Sequence, residues 1–501
     1  MQRILPPHRS VPLFGVSATR AIEARLHASL PEHTLMRRAG LAVARLGLAL
    51  APHAQRVWVA CGPGNNGGDG LEAAMHWQAA GKAVSVTLLG DASRMPDDAK
   101  DALVRAQAAG VEIGNFPAPP LGPHDLAVDA LLGIGASRAP DETMAELIAQ
   151  LNALPCTVLG VDVPSGLDAG TGQPLGDTCV RARHTLTLLT AKPGLFTAMG
   201  RDHAGEVWLD ELGATASSDA PDAWLTGPAV AATPSRAHAQ HKGSFGDVAV
   251  VGGAAGMTGA AWLAARAAHA CGAGRVYVSL LDGRGLSHDA LRPELMVRTE
   301  WWKSHDAALN HATVVCGCGG GDAVREPLPR LIGAAERLVL DADALNVVAT
   351  DGKLQMLLRA RADRGRATVL TPHPLEAARL LGTGAAQVQS DRLAAAQELT
   401  ERFGCVVLLK GSGSVIAAPG ETPCINPTGS AALATAGTGD VLAGWLGGLW
   451  AQHADATGMQ GALRAACAAA FIHGAAADAA TGAVLRANDL IEAMMAATQQ
   501  P

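Results

Sequence analysis

Two glycine-rich segments of different design lie in opposite halves of this 501-residue chain. The first, Cys61–Gly70, reads Cys-Gly-Pro-Gly-Asn-Asn-Gly-Gly-Asp-Gly and follows the apolar run Arg56–Ala60. The second, Gly437–Asp440, reads Gly-Thr-Gly-Asp and opens the apolar segment Val441–Leu446. Glycine lets a ligand approach the backbone and leaves peptide N–H groups exposed, which suits a phosphate group. Two such loops predict two nucleotide-type sites with different chemistry.

Oxygen-bearing side chains follow three predicted strands of the first half. They are Asn65, Asn66, Asp69, Asp129, Asp162, Ser165 and Asp168. The carboxyl ends of parallel strands meet at one edge of a sheet, where ligands bind, so these side chains are expected to lie together. An oxygen-rich set without His or Cys indicates a hard cation rather than zinc. The alternative is that Asp129 and Asp162 only cap turns and helices.

In the second half, Gly437–Asp440 is expected to begin a helix. Its N–H groups and the positive end of the helix dipole would then face a phosphoryl group, and Asp440 could contact a substrate hydroxyl for in-line phosphoryl transfer. Three further polar motifs follow predicted strands, at Asp341–Asn346, Thr371–Pro374 and Lys410–Ser414. A tight turn that binds nothing is the alternative for the glycine segment.

Alternating strands and helices must position these residues. Predicted strands of the first half are Arg56–Ala60, Ala83–Leu89, Asp125–Leu131, Cys156–Val163, His184–Thr190 and Glu206–Leu212. Those of the second half are Asp247–Val251, Arg275–Leu280, Ala312–Cys316, Arg337–Leu340, Ala367–Leu370 and Cys405–Leu409. Predicted helices are Leu71–Ala80, Asp97–Ala109, Asp141–Leu154, Gly259–Cys271, Asp351–Ala362 and Asp391–Phe403. Short Val- and Leu-rich runs separated by helices indicate βαβ units around mostly parallel sheets.

The fold class is therefore α/β with two domains, since 501 residues exceed the usual size of one hydrophobic core. A small, polar stretch beginning at Gly213 marks the boundary. We predict an N-terminal Rossmann-like, three-layer α/β/α domain over residues 1–212, a linker over 213–228 and a C-terminal α/β domain over 229–501.

The composition excludes several classes of protein. A net charge of −7 with a pI near 6.2 argues against nucleic acid or an anionic membrane as the main partner. Nine scattered cysteines without a zinc-type Cys-x-x-Cys framework favour reduced thiols and a cytoplasmic location. The N-terminus lacks the apolar stretch of a signal peptide. The Ala-rich run Gly461–Ala480 contains Arg464, His473 and Asp478, which is typical of a buried helix rather than a membrane span.

A dinucleotide-binding loop is a rival interpretation of the first glycine segment. Gly62, Gly64 and Gly67 have the Gly-x-Gly-x-x-Gly spacing, and Asp91 follows the second predicted strand. That fingerprint alone is weak, and it does not explain the Asn65-Asn66 pair or Asp129.

Three motifs of the first half, in this order, resemble NAD(P)H-hydrate epimerase over about residues 15–212. They are the glycine segment with Asn65-Asn66, Val-Asp129-Ala-Leu-Leu-Gly-x-Gly, and Asp162-Val-Pro-Ser-Gly-Leu-Asp. The resemblance implies a potassium ion held by Asn66, Asp129 and Ser165. It also implies contacts with the hydrated nicotinamide nucleotide from Asn65, Asn66, Gly67, Gly68, Asp69, Gly133, Ile134, Gly135, Ala136, Ser137, Arg138, Ala139 and Asp162. Asp162 would accept or donate a proton during inversion at C6 of the ring. The segment Gly135–Pro140 departs from the family pattern.

The second half is similar to the ribokinase-like superfamily, and within it to NAD(P)H-hydrate dehydratase, over about residues 228–495. The motifs that carry this likeness are His241-Lys-Gly, Gly256-Met-Thr-Gly-Ala260, Asp341-Ala-Asp-Ala-Leu-Asn346, Thr371-Pro-His373-Pro and Gly437-Thr-Gly-Asp440. The resemblance implies that the hydrate is bound by Ala260, Gly319, His373 and Asp440. It implies that the adenine nucleotide is bound by Lys410, Gly411, Ser412, Gly413, Ser414 and Gly439. Two departures from the family pattern are Gly317-Cys-Gly-Gly-Gly321 and Leu375.

The resemblance further implies a reaction and its ligands. Phosphorylating the C6 hydroxyl would turn a poor leaving group into a good one, with Asp440 as the activating residue and ADP, accompanied by Mg²⁺, as the donor. A homo-oligomer is expected from both families. Two alternatives stay open at this point: a kinase of a small vitamin or sugar alcohol in the second half, and a non-catalytic binding module in the first.

Overall fold

This computed structural model describes residues 1–214, 219–231, 236–283, 288–453, 458–480, 482 and 484–498. The chain divides into two units, Met1–Leu225 and Thr226–Pro501, and the division falls inside the predicted linker. In the described part of that linker, Ala223–Leu225 forms a strand that pairs antiparallel with Val11–Leu13. Residues 215–218 of the linker lie outside the described residues.

Within its described residues the first unit contains ten strands and six α-helices. The strands are β1 Gln2–Arg3, β2 Val11–Leu13, β3 Arg56–Cys61, β4 Ala83–Leu88, β5 Glu112–Gly114, β6 Leu126–Ala130, β7 Thr157–Val161, β8 His184–Leu188, β9 Glu206–Asp210 and β10 Ala223–Leu225. The helices are α1 Val16–Ser29, α2 Thr34–Leu50, α3 Asn65–Ala79, α4 Asp97–Ala108, α5 Glu142–Ala153 and α6 Gly200–Ala204.

The main sheet of the first unit has the order β1-β9-β8-β7-β6-β3-β4-β5, and only the β1–β9 pair is antiparallel. From β3 the chain proceeds outward to β4 and β5 and then returns to place β6 on the other side of β3. Strand order thus reverses between β3 and β6, which is where ligands of open α/β sheets bind.

Side chains alternate across the sheet and fill two helical layers. Val57 and Val59 of β3 join the core that contains α2 and α3, whereas Trp58 and Ala60 join the core that contains Ile148 of α5. Because both faces are covered, the central strand β3 is apolar and buried from Val57 to Cys61 rather than alternating. This is the three-layer α/β/α arrangement that the sequence predicts.

Helix α3 begins six residues earlier than the predicted Leu71, so the Asn65–Gly70 segment is helical rather than a loop. The glycines in it are required by close packing. A Cβ on Gly67 would lie 1.9 Å from the carbonyl oxygen of Gly62, and one on Gly68 would lie 2.7 Å from the Met36 side chain. Glycine disfavours helix in isolation, but here only glycine lets the first turn approach its neighbours.

The second unit contains nine strands and eleven α-helices within its described residues. The strands are β11 Asp247–Gly252, β12 Arg275–Leu280, β13 Met296–Val297, β14 Ala312–Cys316, β15 Arg337–Leu340, β16 Thr368–Leu370, β17 Val406–Leu409, β18 Val415–Ala417 and β19 Cys424–Ile425. The helices are α7 Thr258–Ala270, α8 Asp306–His311, α9 Leu328–Ala334, α10 Asp343–Thr350, α11 Gly352–Asp363, α12 Pro374–Leu381, α13 Ala385–Ser390, α14 Arg392–Phe403, α15 Thr438–Gln452, α16 Met459–Asp478 and α17 Ala487–Thr498.

These strands follow one another in the order β13-β12-β11-β14-β15-β16-β17-β18-β19. They are parallel from β13 to β17, and β18 and β19 pair antiparallel. Helices cover both faces: Val250 of β11 packs with α7, α15 and α16, whereas Val251 packs with helices of the other side, including α9 and α10. The carboxyl ends of β11, β14, β15, β16 and β17 therefore share one edge.

The predicted strands of both halves are confirmed, with ends that move by at most two residues. The Ala-rich run Gly461–Ala480 forms the buried helix α16, as predicted. Among the described residues, no helix has the length and hydrophobicity needed to span a membrane.

Candidate active sites

A cavity of about 740 Å³ opens at the carboxyl ends of β3, β6 and β7 in the first unit. The first turn of α3, the loop after β6 and helices α1 and α2 supply most of its wall. Of the predicted contact residues, those that line the cavity are Asn65, Asn66, Asp69, Asp162 and the loop residues Gly133, Ile134, Gly135, Ala136, Ser137, Arg138 and Ala139. Gly67 and Gly68 instead pack against protein, as described above. The structure thus brings most of the predicted set to one cavity.

Asp129 and Ser165 form a buried pair next to this cavity. The Ser165 hydroxyl donates to Asp129 Oδ1 at 2.5 Å, and the Ser165 N–H donates to Asp129 Oδ2 at 2.8 Å. Asp129 is fully buried, and burial raises the pKa of its carboxyl to about 6. The Ser165 oxygen also accepts from the N–H of Leu132 at 2.8 Å. A buried carboxylate and a hydroxyl are thus held side by side at the ends of β6 and β7.

Asn66 supplies the third part of this arrangement. Its side chain is buried, yet neither its amide oxygen nor its amide nitrogen has a hydrogen-bond partner among the described residues. The backbone of Gly133 lies close to it, since a Cβ there would be 3.2 Å from the Asn66 oxygen. Leaving buried polar atoms unpaired costs roughly 1–3 kcal/mol, so the Asn66 amide is a candidate ligand for an ion or for a polar group of a substrate.

Asp162 lies on the cavity wall in the left-handed backbone region, with φ of 67°. Its Oδ1 accepts a hydrogen bond from Lys192 Nζ at 2.5 Å, and its Oδ2 accepts from the N–H of Ile134 at 3.3 Å. Lys192 is 1% exposed and also donates to the carbonyl of Leu188 at 2.7 Å. Lysine is almost never buried so fully unless it is paired. The cavity therefore contains a preformed carboxylate–ammonium pair.

Sequence reasoning missed Lys192. It lies in the segment Ala191-Lys-Pro-Gly194 shortly after β8, and a lone charged residue close to a strand end was the available signal. Two other acidic residues have local roles. Asp168 accepts from the N–H groups of Gly170 and Thr171 and so closes its own turn. Asp91, which the dinucleotide-binding alternative relied on, caps a short 3-10 helix through the N–H of Ser93.

Asp69 is a buried acidic side chain on the wall of the same cavity. Burial raises the pKa of its carboxyl well above the usual value, and the nearby carboxylates of Asp162 and Glu23 raise it further. Two carboxylates that share a site resist ionising together. The neutral form of Asp69 is therefore favoured in this cavity.

In the second unit, Asp341 is the centre of a buried polar cluster. It follows β15 and is 1% exposed. Its Oδ1 accepts from Lys410 Nζ at 2.8 Å and from the Thr371 hydroxyl at 2.7 Å. The Cys318 thiol lies 3.8 Å from its Oδ2. Four strand ends, those of β14, β15, β16 and β17, thus meet at one carboxylate.

Asp440 stands beside this cluster, in the first turn of α15. Burial raises the pKa of its carboxyl to about 6, and the Asp341 carboxylate adds to the effect. Gly437, with φ of 92°, sets the left-handed turn that starts the helix. A Cβ on Gly439 would lie 3.5 Å from Lys410 Nζ, so the ammonium group faces the free N–H groups of this turn. Burial lowers the pKa of Lys410, but the Asp341 and Glu376 carboxylates outweigh it and raise the pKa.

Other predicted residues of the second unit lie at the same sheet edge. Ala260 and Gly319 are neighbours, since a Cβ on Gly319 would lie 2.8 Å from that of Ala260. Gly411, with φ of 143°, packs against the buried Arg392 guanidinium, and the Ser414 hydroxyl donates to the Gly411 carbonyl. Ser412 and Gly413 complete this turn between β17 and β18.

His373 has a structural function that the sequence did not reveal. Its Nδ1 accepts from the N–H groups of Leu375 and Glu376 and so caps helix α12. Its Nε2 lies 3.3 Å from the Glu376 carboxylate. Burial lowers the pKa of the ring, and so does the nearby Lys410 ammonium. The half-buried imidazole is thus held in one orientation beside the cluster.

Two family models match this chain. One, described as YjeF-related protein N-terminus, matches residues 32–194, and the other, described as NAD(P)H-hydrate dehydratase, matches residues 248–496. The chain is 37% identical over 464 residues to the bifunctional NAD(P)H-hydrate repair enzyme Nnr of Escherichia coli (strain K12), covering 89% of this chain and 85% of that protein.

A second relative matches one half. The ADP-dependent (S)-NAD(P)H-hydrate dehydratase of Neisseria meningitidis serogroup B is 43% identical over 252 residues, which cover 48% of this chain and 80% of that protein. Among solved structures, the ADP/ATP-dependent NAD(P)H-hydrate dehydratase of Bacillus subtilis is 26% identical with a TM-score of 0.42, covering 54% of this chain and 94% of that one.

Proposed function

The chain belongs to the family of bifunctional NAD(P)H-hydrate repair enzymes, and from this premise we propose how its two units perform the reaction. The enzyme interconverts the R and S forms of hydrated NAD(P)H and dehydrates the S form with ADP, releasing AMP and phosphate. We assign epimerisation to residues 1–212 and dehydration to residues 229–501, joined by 213–228. The observation that carries this division is that each unit has its own buried acidic centre, at Asp162 in one and at Asp440 in the other.

For the epimerase site, Asp162 is proposed as the group that moves a proton during inversion at C6. Lys192 would hold its carboxylate in place and offset its charge, because the ammonium group is buried against Oδ1. Asp69 lines the same cavity, and its raised pKa makes it available as a second, protonated acid. The loop Gly133–Ala139 and the Asn65–Asp69 turn would enclose the nucleotide.

Potassium fits the residues beside this cavity. The donors are a carboxylate, a hydroxyl and an amide oxygen, which are the hard oxygen ligands that such cations take. The unpaired amide of Asn66 is the observation in favour of an ion there. We propose that Asn66, Asp129 and Ser165 hold potassium, which when bound would supply a fixed positive charge beside the first turn of α3 and the end of β6.

A potassium test follows from the unpaired amide. Asn66→Ala is expected to raise the potassium concentration needed for half-maximal epimerisation by at least about tenfold, since even outer partners of metal ligands are typically worth 10- to 100-fold. Binding that stabilises only the folded state raises the melting temperature. The wild type should therefore melt higher in potassium chloride than in choline chloride, and Asn66→Ala should not. An equal rise in melting temperature of the two proteins in potassium chloride would show that Asn66 does not bind the ion.

For the dehydratase site, Asp440 is proposed to accept the proton of the C6 hydroxyl as the terminal phosphoryl group of ADP moves to that oxygen. The N–H groups of the first turn of α15 and the Lys410 ammonium would stabilise the transferring charge. AMP leaves, and elimination of phosphate with loss of a proton from C5 restores the dihydropyridine. Ala260, Gly319 and His373 would contact the hydrate, and Lys410–Ser414 with Gly439 the nucleotide.

Magnesium is proposed to enter with ADP rather than as a resident ion. Cys318, Asp341 and Asp440 bring potential ligand atoms within 4.8 Å of one another. A thiol is a soft donor, and Asp341 is already paired with Lys410, so this set does not fit the octahedral oxygen shell of magnesium. The phosphates of ADP would supply oxygen ligands for the ion.

The pKa of Asp440 gives a pH dependence. A carboxyl with an ordinary pKa of 3.8 would stay ionised down to about pH 4, whereas one raised to about 6 is protonated below that value. Dehydration, measured as kcat/KM, is therefore expected to fall about tenfold per pH unit below pH 6. The ADP phosphate also titrates in this range, so a control is needed to separate the two groups. In Asp440→Glu, a fall in kcat/KM caused by the enzyme should shift to a different pH, whereas a fall caused by the nucleotide should stay at the same pH.

The proposed function as a whole is tested with a mixture of both hydrate epimers. Recovery of NADH is followed by its near-ultraviolet absorbance, with ADP or with ATP as the donor. Rapid and complete recovery requires both activities, and the nucleotide that supports faster recovery identifies the donor. Recovery of only about half of the NADH would support the dehydratase assignment and contradict the epimerase assignment. A stable phosphorylated product without NADH would instead support the small-molecule kinase alternative.

Cellular location and assembly remain proposals as well. All nine cysteines lie in the described residues and are free thiols, which supports a reducing, cytoplasmic compartment. We also propose a homo-oligomer, with no nucleic acid or membrane partner.

A further inference from the structure

Among the charged residues that line the cavity of the first unit, acidic side chains outnumber the lysine and arginine side chains. The acidic ones are Glu23, Asp69, Asp98, Asp141 and Asp162. The substrate of the proposed function is itself an anion, because a pyrophosphate joins its two nucleosides. Of the lysine and arginine side chains that line the cavity, Lys192 is already paired with Asp162. The remaining positive charges, Arg20 and Arg138, are therefore the ones available for the phosphates.

Arg20 lies in α1 and reaches the loop after β6. A Cβ on Gly135 would lie 3.1 Å from an Nη atom of Arg20, so the guanidinium rests directly against the backbone of this loop. Neither Arg20 nor Arg138 forms an ion pair within 4.0 Å with any carboxylate in the described part of the chain. The neighbouring acid on α1, Glu23, is instead 4.0 Å from His27. Arg20 thus presents uncompensated hydrogen-bond donors at the cavity.

The backbone that carries Arg20 is firmly held. The hydroxyls of Thr19 and Thr190 share a buried hydrogen bond of 2.7 Å, which ties α1 to the segment after β8. The N–H of Gly15, just before α1, donates to Asp222 at 2.7 Å. These bonds hold the backbone of Arg20 at the edge of the cavity, so only side-chain entropy is lost when the guanidinium binds a ligand. Gly135 contributes by its lack of a side chain, which leaves room for the guanidinium at the loop.

We propose that Arg20, together with Arg138 of the Gly133–Ala139 loop, forms the phosphate subsite of this cavity and binds the hydrated dinucleotide through a phosphate group. The inference rests on the proposed function and adds to it a residue from α1. A planar guanidinium with its fork of N–H donors matches phosphate geometry in a way that no other lining residue does. The acidic remainder of the wall would repel phosphates bound elsewhere, which fixes the orientation of the substrate.

Steady-state epimerisation by the full-length chain tests the subsite. Arg20→Ala is expected to raise KM about tenfold, as a charged hydrogen bond to phosphate is worth roughly that much, with kcat within about twofold. The KM of Arg20→Lys should lie between those of the wild type and Arg20→Ala, because lysine keeps the positive charge but lacks the forked set of N–H donors. Arg94→Ala is the matched control, since Arg94 is 86% exposed and does not line the cavity. Added salt should raise KM for the wild type more than for Arg20→Ala.

Two substrates separate the possible phosphates. An equal effect on NADH-hydrate and NADPH-hydrate would assign Arg20 to the pyrophosphate, and a larger effect on NADPH-hydrate would assign it to the 2′-phosphate. A KM unchanged for both substrates would overturn the proposal. If the wild type itself does not epimerise, the proposed function fails separately. Calorimetric titration with NADPH then still decides the inference, because an unchanged isotherm for Arg20→Ala excludes the subsite.

Discussion

Replacing Asp440 with asparagine is expected to slow ADP-dependent dehydration by about 10²- to 10⁴-fold while epimerisation continues at the wild-type rate. The range is that of a positioned general base, and Asn cannot accept the proton of the C6 hydroxyl. The fold should tolerate the change. Burial and Asp341 already disfavour the charged form of Asp440, as its raised pKa indicates, so a neutral isostere removes an unfavourable interaction. The measurement is recovery of NADH from the S epimer with ADP.

The control for this variant is Asp363→Asn, an exposed acidic residue at the end of α11. It makes the same chemical change in the same unit and is expected to leave dehydration untouched. Epimerisation, followed as interconversion of the R and S forms without ADP, reports on the rest of the chain. Wild-type dehydration by Asp440→Asn would show that the base is elsewhere and that the first turn of α15 only binds the nucleotide.

The strands of both units could be predicted because they are short runs rich in apolar residues, and central ones such as Ala312–Cys316 are buried on both faces. Arg275–Leu280, Ala312–Cys316 and Arg337–Leu340 have in the structure the bounds that the sequence predicts. The start of α3 could not be predicted in this way, since its first turn is rich in glycine. This turn is helical because it packs closely against Met36 and the Gly62 backbone. Helix propensity, which depends only on the local sequence, does not include such contacts.

The same distinction applies to the two sites. Asp129, Ser165 and Asp162 were predicted together because parallel strand ends must meet at one edge, and the structure places them there. Lys192 was missed because its pairing with Asp162 depends on how the segment after β8 folds back. The helix-capping function of His373 was missed for a related reason: its partners are N–H groups of the helix that it begins. Spacing predicts which elements meet, but side-chain pairing depends on the rotamers that tertiary packing selects.

The second large effect is expected at Asp162. Asp162→Asn should lower epimerisation by about 10²- to 10⁴-fold, since the proton-transferring carboxylate is lost. A mixture of both epimers would then give about half of the NADH rapidly, and the rest only at the rate of spontaneous inversion. Asparagine suits the backbone, because it tolerates the left-handed conformation that Asp162 adopts. Dehydration of the S epimer by the same chain is the internal measure that the protein is intact.

The substitution also leaves the Lys192 ammonium buried without its counter-charge. Breaking a buried ion pair from one side typically costs 3–5 kcal/mol, so Asp162→Asn alone could lose epimerisation by unfolding the first unit. The double variant Asp162→Asn with Lys192→Met removes both charges and keeps similar volumes. It should melt higher than the single variant and remain equally inactive as an epimerase. Recovery of epimerisation in the double variant would mean that the carboxylate serves only to neutralise Lys192, and the proton transfer would then have to be reassigned, with Asp69 as the next acid on the cavity wall.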